Sequence, residues 1–206
     1  MKRLILIMII GAMGFTHQAK AQWAVIDPTN LVQNIFQVME SSTTASNMIK
    51  NVQESVRIYQ QGKEYYDKLK SVHNVIKDAR KVQETVAMLS EISGIYANNF
   101  NKMLSDKNFT VEELAAISDG YAKLLAESGH LLTEVKEVVS TSNGLSMTDA
   151  ERMAIVDRIY TDMKGCRSLV QYFTNKTIAV SYLRSKTQND TDRILALYGS
   201  PGDRYW

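Results

Sequence analysis

Two histidines and one cysteine are the residues beyond position 21 whose types could support metal or nucleophilic chemistry: His73, His130 and Cys166. Glu127-Ser128-Gly129-His130 has the Glu-x-x-His spacing of carboxylate-bridged di-iron sites in helical bundles. Such a site needs a second copy of the motif, but Lys70 stands three residues before His73. We therefore expect no metal ion and no other cofactor, and we interpret His130 as a polar residue on a solvated helix face.

The chain also lacks the motifs of common enzyme classes. It has no glycine-rich phosphate loop followed by Lys-Ser or Lys-Thr, and no Gly-x-Ser-x-Gly nucleophile turn. The single Cys166 cannot form an internal disulfide, and its helical spacing from Met163, Leu169 and Val170 favours a buried thiol over an intermolecular bridge. The sequence therefore predicts no catalytic residues and no enzymatic activity.

The first 21 residues have the pattern of a secretory signal peptide. Lys2 and Arg3 precede an uncharged run from Leu4 to Phe15, and Ala19-Lys20-Ala21 fits the small-x-small cleavage pattern. The run is shorter than the roughly 20 residues of a membrane-spanning helix. We expect cleavage after Ala21, export to the periplasm or cell envelope, and no transmembrane span in the mature protein.

Cleavage would also change the charge of the chain. The full sequence has 24 Lys and Arg and 22 Asp and Glu, for a formal charge of +2. Removal of the three basic residues in the first 21 leaves 21 basic against 22 acidic residues, or −1. A near-neutral chain has no basic footprint for nucleic acid, so we expect no direct nucleic-acid binding.

Apolar residues at helical spacing run through most of the mature chain, and prolines occur only near its ends, at Pro28 and Pro201. One stripe extends from Met48 to Met103, which predicts a single helix of about 80 Å or two helices joined near Gly62. Two further helices each begin with a capping box, Thr110–Glu113 and Thr148–Glu151. The predicted core stripe of the last long helix is Met153, Val156, Tyr160, Met163, Leu169, Phe173, Val180 and Leu183.

These stripes predict an all-α fold, because three amphipathic helices can bury them only against each other. We expect an elongated antiparallel three-helix bundle, coiled-coil-like, with one very long helix. A short N-terminal helix and a short C-terminal helix or tail would be added to it. In this interpretation residues 22–206 form one domain, divided into an N-terminal segment and first helix (22–47), the bundle (48–188) and a C-terminal tail (189–206).

Several segments resemble a known family. Ala21-Gln22-Trp23-Ala24-Val25-Ile26-Asp27-Pro28-Thr29-Asn30-Leu31-Val32-Gln33-Asn34 resembles the mature N-terminus of minor-pilus-type subunits of conjugative type IV secretion systems. The whole chain is similar to the TraI-type conjugal transfer proteins of Bacteroidetes conjugative transposons. The supporting stretches are Ser42–Lys50, Lys77–Gln83 and Leu195–Trp206. The unrelated relaxase and helicase that shares the name TraI has a nucleotide loop and a His cluster, which this chain lacks.

The resemblance implies a non-enzymatic envelope component of a DNA-transfer apparatus, a minor-pilus-like structural or adhesive subunit. Its partners would be other subunits of the conjugation machinery, and whether it forms homo-oligomers is left open. Apolar termini and one of two adjacent tyrosines would dock the partners: Trp23, Val25, Ile26, Tyr65, Tyr66, Tyr198, Tyr205 and Trp206. The alternative function is a periplasmic holdase or assembly factor for envelope proteins.

Overall fold

The described part of the chain is built from helices and short turns. The computed structural model describes residues 32–35, 43–71, 79–139 and 147–200. Within them lie α1 (Thr43–Ser71), α2 (Ala79–Leu104), α3 (Val111–Val139), α4 (Asp149–Gln188) and α5 (Thr191–Tyr198), with a further helical segment at 32–35. The prediction of an all-α fold is confirmed. The signal peptide and the start of the predicted N-terminal helix lie outside the described residues.

Both predicted capping boxes are present. The backbone N–H of Glu113 donates to Thr110 Oγ1 at 3.3 Å, and the N–H of Thr110 donates to Glu113 Oε2 at 2.9 Å. Thr148 and Glu151 make the same reciprocal pair at 3.3 and 2.8 Å. Each box satisfies N–H groups that the first turn of a helix leaves without a partner, and so fixes where α3 and α4 begin.

The prediction of one very long helix is wrong, because its apolar stripe is divided between two helices that pack against each other. α1 continues through Gly62, which is buried, so the expected alternative junction is also misplaced. Tyr66 near the end of α1 shares an apolar cluster with Val86 and Leu89 near the start of α2. Folding back buries both halves of the stripe, whereas a single straight helix would leave them to solvent.

The four long helices therefore form an up-down-up-down bundle instead of the expected three-helix bundle. Ion pairs give the directions: Lys81 pairs with Asp157 and Arg167 with Glu91, so α2 and α4 are parallel. α3 is antiparallel to α4, since Glu134 pairs with Arg158 near one end and Glu113 with Arg184 near the other. α1 packs on α2 and α3, and α5 packs on α4. α4, with 40 residues, is about 60 Å long.

Four aromatic rings form the centre of the core. The ring of Tyr121 lies 4.9 Å from Tyr96 and 6.3 Å from Phe100, and it meets Phe173 edge-on at 5.0 Å. Its hydroxyl lies 2.7 Å from Thr174 Oγ1. Since Thr174 Oγ1 donates to the Val170 carbonyl, the tyrosine is the donor. One side chain of α3 thus holds α2 and α4 together.

Only part of the predicted stripe of α4 faces this core. Val156 and Met163 are buried as predicted, but the expectation is wrong for four residues, which are exposed: Met153, Leu169, Val180 and Leu183. Their places in the core are taken largely by smaller side chains on another line of the helix: Cys166, Val170, Thr174, Ile178, Ser181 and Ser185. Hydrogen bonds at Thr174 and Ser181 compensate for burial of these hydroxyls.

Gly120 marks a close approach of α3 to α4. A Cβ atom built there would lie 2.6 Å from Cζ of Phe173, whose ring already packs edge-on against Tyr121. Gly165 of α4 differs, because a Cβ built there meets no atom within 4 Å. A methyl group would therefore clash at position 120 and fit at position 165, although both glycines are helical.

We expect Gly120→Ala to lower the free energy of unfolding by about 1–2 kcal/mol, because overpacking outweighs the gain in helix propensity. Gly165→Ala, the matched control, should raise it by about 0.5–1 kcal/mol, since propensity alone acts there. Urea denaturation of both variants measures the difference. Adding Phe173→Leu should restore part of the loss in Gly120→Ala, and equal effects of the two alanines would contradict the close approach.

Among the described residues, no helix is both long and apolar enough to cross a bilayer.

Candidate interaction surfaces

Of the eight residues predicted to dock partners, three have described positions. Trp23, Val25, Ile26, Tyr205 and Trp206 lie outside the described residues. Tyr66 is only 9% exposed and packs with Ile58 and Leu89, which leaves it little surface for a partner. Tyr65 is partly buried and borders a surface groove, and Tyr198 is partly buried at the opposite end of the bundle.

The groove beside Tyr65 lies between α1 and α3 and has a volume of about 420 Å³. Its lining residues are Gln61, Glu64, Tyr65, Lys68, Thr133, Lys136 and Glu137. The Lys136 ammonium lies 5.5 Å from the centre of the Tyr65 ring, a cation–π contact. Partial burial lowers the pKa of Lys136 and raises the pKa of Tyr65 to about 12. Two acids and two lysines balance the charge of the lining, so the groove selects no ligand by sign of charge.

Tyr198 is held by a buried carboxylate, Asp106, in the turn between α2 and α3. The carboxylate side chain has no exposed surface. Tyr198 donates its hydroxyl to Asp106 Oδ2 at 2.9 Å, Ser181 Oγ donates to the same oxygen, and Arg193 Nη1 lies 3.4 Å from Oδ1. Burial and the neighbouring negative charge raise the pKa of Tyr198. We call Asp106, Asn108, Ser181, Arg193 and Tyr198 the Asp106 network.

The network joins three elements that the sequence separates widely. Asn108 donates its backbone N–H to Asp106 Oδ1 at 3.0 Å and its side-chain amide to the carbonyl and hydroxyl of Ser181 at 3.1 and 3.0 Å. Arg184 donates to the Asn108 carbonyl at 2.6 Å and to both oxygens of Glu113. Since Ile194 is the one buried apolar residue of α5, the bonds from Arg193 and Tyr198 to Asp106 contribute to holding α5 on the bundle.

The Glu113–Arg184 pair predicts acid sensitivity. The hydrogen bond from Arg184, together with that from the Thr110 backbone, lowers the pKa of Glu113 to about 2. A carboxyl whose folded pKa is lowered contributes stability above its unfolded pKa, near 4.5, and the contribution is lost as the pH falls to about 2. We expect Arg184→Met to reduce the loss of stability between pH 4.5 and 2. Urea midpoints across that range measure it, with exposed Lys186→Met as control, and unchanged pH dependence in Arg184→Met would contradict the coupling.

A second surface is the outer side of α4. Every large apolar side chain that the described residues leave exposed belongs to this helix: Met153, Leu169, Tyr172, Val180 and Leu183. The last four are 41–61% exposed and follow one line along the helix, with Lys176 at its middle. We call Leu169, Tyr172, Lys176, Val180 and Leu183 the α4 outer face. A continuous apolar line on a helix surface is typical of interaction sites.

The residues whose types could support metal or nucleophilic chemistry form no metal site within the described part of the chain. Glu127 and His130 are both exposed on α3, and no group of three or more His, Cys, Asp or Glu side chains among the described residues could hold a metal ion. His73 lies outside the described residues. Cys166 is buried, as predicted, and burial raises the pKa of its thiol, which lowers its reactivity.

The comparisons with known proteins give a single partial match. The model of a family described as a domain of unknown function, DUF4141, matches residues 3–52. No curated protein matches the chain, and no solved structure matches it. The matched range includes the N-terminal segment that resembles minor-pilus-type subunits, and the description of the family states no function.

Proposed function

We propose that this protein is a non-enzymatic cell-envelope subunit of a conjugative type IV secretion apparatus, and that it acts by docking other subunits. The observation that carries the proposal is the resemblance of residues 21–34, 42–50, 77–83 and 195–206 to conjugal transfer proteins and minor-pilus subunits. The signal-peptide pattern of residues 1–21 supports export to the periplasm or envelope.

The described structure supports a docking role over a chemical one. α4, a helix of 40 residues, places four apolar side chains in one line, from Leu169 to Leu183, on the surface of the bundle. Both oxygens of the buried Asp106 carboxylate accept hydrogen bonds from within the Asp106 network, which suits a rigid support better than a reactive site. The proposed mechanism is therefore protein–protein contact through helix faces and through the apolar segments around Trp23 and Trp206.

An in-frame deletion of the gene in a donor strain tests the proposal. We expect transfer of the conjugative element to fall by orders of magnitude and to return when the gene is supplied on a plasmid. A complementing copy without residues 1–21 is the matched control for export, and it should fail to restore transfer. Unchanged transfer in the deletion strain would refute the proposed function.

Crosslinking in mating donor cells distinguishes a subunit from an assembly factor. Photo-crosslinkers at Trp23 and Trp206 should capture the same few machinery components in stable, stoichiometric complexes. Transient crosslinks to many unrelated envelope proteins, without co-fractionation with the machinery, would favour the holdase instead.

A further inference from the structure

The α4 outer face has the spacing of a coiled-coil seam. Leu169, Tyr172, Lys176, Val180 and Leu183 follow one another at steps of 3, 4, 4 and 3 residues. The line is about 21 Å long at 1.5 Å per residue, and its steps of 3, 4 and 4 residues make an 11-residue repeat, which keeps the line on one side of a nearly straight helix. The wide buried side of α4 is turned into the bundle, so this narrow line is a second apolar face on the same helix.

Around this seam α4 carries positive charge without acids. Between Asp162 and Asp190 the helix has five basic residues and no carboxylate. Arg167 and Arg184 pair with Glu91 and Glu113 on neighbouring helices. The remaining Lys164, Lys176 and Lys186 are exposed, and none of them forms an ion pair within the part of the chain that the structure describes.

The three lysines share one local arrangement. Each ammonium lies over the ring of a tyrosine four residues earlier in α4, at 5.4, 5.5 and 4.7 Å from the ring centre for Tyr160, Tyr172 and Tyr182. These contacts hold the lysine stems along the helix and leave their charges at the surface, where a carboxylate can approach. Lys176 lies within the seam and Lys186 follows it by three residues, and neither forms an ion pair among the described residues. Lys164 lies five residues before Leu169 and about 140° around the helix.

We propose that the α4 outer face binds an acidic amphipathic helix of a partner protein. Apolar residues of that helix, spaced by three and four, would pack along the line from Leu169 to Leu183. Its flanking Asp or Glu side chains would pair with Lys176 and Lys186. The inference rests on the proposed docking function for its biological setting. Its test uses purified protein, so a failure to bind a helix is distinguishable from a failure of the proposed function in conjugation.

Charge argues against a second copy as the occupant. A two-fold antiparallel contact centred on the seam would place Lys176 opposite Lys176 of the other copy, and a parallel contact would do the same. A lysine within a seam is tolerated best opposite an acid, because like charges in contact are destabilising. Complementary charge therefore selects a different chain that carries carboxylates.

The shape and composition of the face argue against a lipid surface and nucleic acid. Helices that lie in a membrane interface bury a broad apolar face rich in Trp, Phe and Leu, whereas this seam is one residue wide. Binding of single-stranded nucleic acid relies on stacking of bases on aromatic rings. Three of the four apolar side chains of the seam, Leu169, Val180 and Leu183, are aliphatic.

Binding of a synthetic helix to the purified mature protein tests the inference. The probe is a fluorescent helical peptide with Ile and Leu at positions spaced by 3, 4 and 4 residues and Glu at the flanking positions. The matched control peptide has Lys in place of Glu. We expect fluorescence anisotropy to show at least tenfold tighter binding of the Glu peptide, weakened by salt. Binding should weaken at least tenfold in Lys176→Glu and in the double variant Leu169→Ser with Leu183→Ser. Lys123→Glu, a change at an exposed residue of α3, should leave binding unaltered.

Three further measurements use the same preparation. Sedimentation equilibrium, flotation with phosphatidylglycerol vesicles and anisotropy with single-stranded oligothymidine test self-association, lipid and nucleic acid as occupants. The inference is overturned if the Glu peptide fails to bind and the seam serves another occupant instead. In that case Lys176→Glu or the double serine variant would abolish self-association, vesicle binding or oligothymidine binding. The inference is also overturned if the two peptides bind equally. Circular dichroism checks the fold of each variant, and Lys176→Glu keeps the test valid if the serine pair unfolds.

Discussion

Replacing Asp106 with alanine is expected to lower the free energy of unfolding by about 3–5 kcal/mol, the usual cost of removing one partner from a buried charged network. The carboxylate side chain is fully buried, and its loss leaves Ser181 and Tyr198 without their acceptor and Arg193 without a buried counter-charge. Asp106→Asn keeps the volume and an acceptor oxygen, so we expect a smaller loss of about 1–3 kcal/mol. Urea denaturation followed by circular dichroism measures both.

Local measurements separate the network from a general effect on the bundle. Amide hydrogen exchange of α5 should accelerate in Asp106→Ala by a larger factor than exchange in α2, because the carboxylate holds α5 on the bundle. Asp192→Asn, an exposed acid on the same short helix, is the matched control and should change stability by less than about 0.5 kcal/mol. If Asp106→Ala unfolds at the urea concentration of the unaltered protein, the network does not stabilise the fold.

Replacing Tyr121 with alanine should also cost about 3–5 kcal/mol, because a large buried aromatic leaves a cavity that helices on three sides cannot fill. The ring contacts Tyr96, Phe100 and Phe173 and has no exposed surface. Tyr121→Phe keeps the ring and removes only the hydrogen bond to Thr174, so we expect a loss of about 1 kcal/mol. The difference between the two variants separates packing from hydrogen bonding at one position.

Tyr172→Ala provides the control on the outside of α4. That side chain is 61% exposed, so its removal should change the free energy of unfolding by less than about 0.5 kcal/mol. Thermal unfolding of Tyr121→Ala, Tyr121→Phe and Tyr172→Ala in one buffer gives the comparison. A loss in Tyr172→Ala as large as that in Tyr121→Ala would mean that the outer face is packed in the unbound protein.

The helical class and two helix starts could be predicted because their causes are local. Apolar spacing and the capping boxes at Thr110 and Thr148 depend on neighbours a few residues away. The division between α1 and α2 could not be predicted, since α1 runs through Gly62, where the sequence pattern placed the alternative junction. It depends on the free energy gained when the two halves of one stripe bury each other, and no pattern within either half reports that gain.

The rotation of α4 is the main feature that periodicity alone misassigns. Both lines of the helix have acceptable spacing, and the larger residues Leu169, Val180 and Leu183 favour the wrong one. The structure turns the line with Ser181 and Thr174 inward, because Asp106 and Tyr121 supply hydrogen bonds there. Those partners lie 75 and 53 residues away, so the preference is invisible in the helix itself.

The Asp106 network and the α4 outer face could not be predicted from the sequence either, because both depend on contacts between residues far apart in the chain. Asp106 reads in the sequence as one polar residue of a turn, and its burial follows only from the arrival of α4 and α5. The α4 outer face reads as core until the helix rotation is known. Unequal exposure of the adjacent Tyr65 and Tyr66 could be predicted, because two neighbouring helical residues cannot face the same core. Tyr65 is the more exposed of the two.

The sequence separations within the Asp106 network lead us to expect that it forms late in folding. Its carboxylate belongs to the α2–α3 hairpin, whose turn and capping box involve near neighbours and can form early. Ser181 and Tyr198 lie 75 and 92 residues further along, so their bonds require closure of long loops. We expect Asp106 to stay hydrated until α4 and α5 arrive, and the cost of removing that water to oppose early docking of α5. Protection of the Tyr198 hydroxyl from solvent should then mark a late folding step.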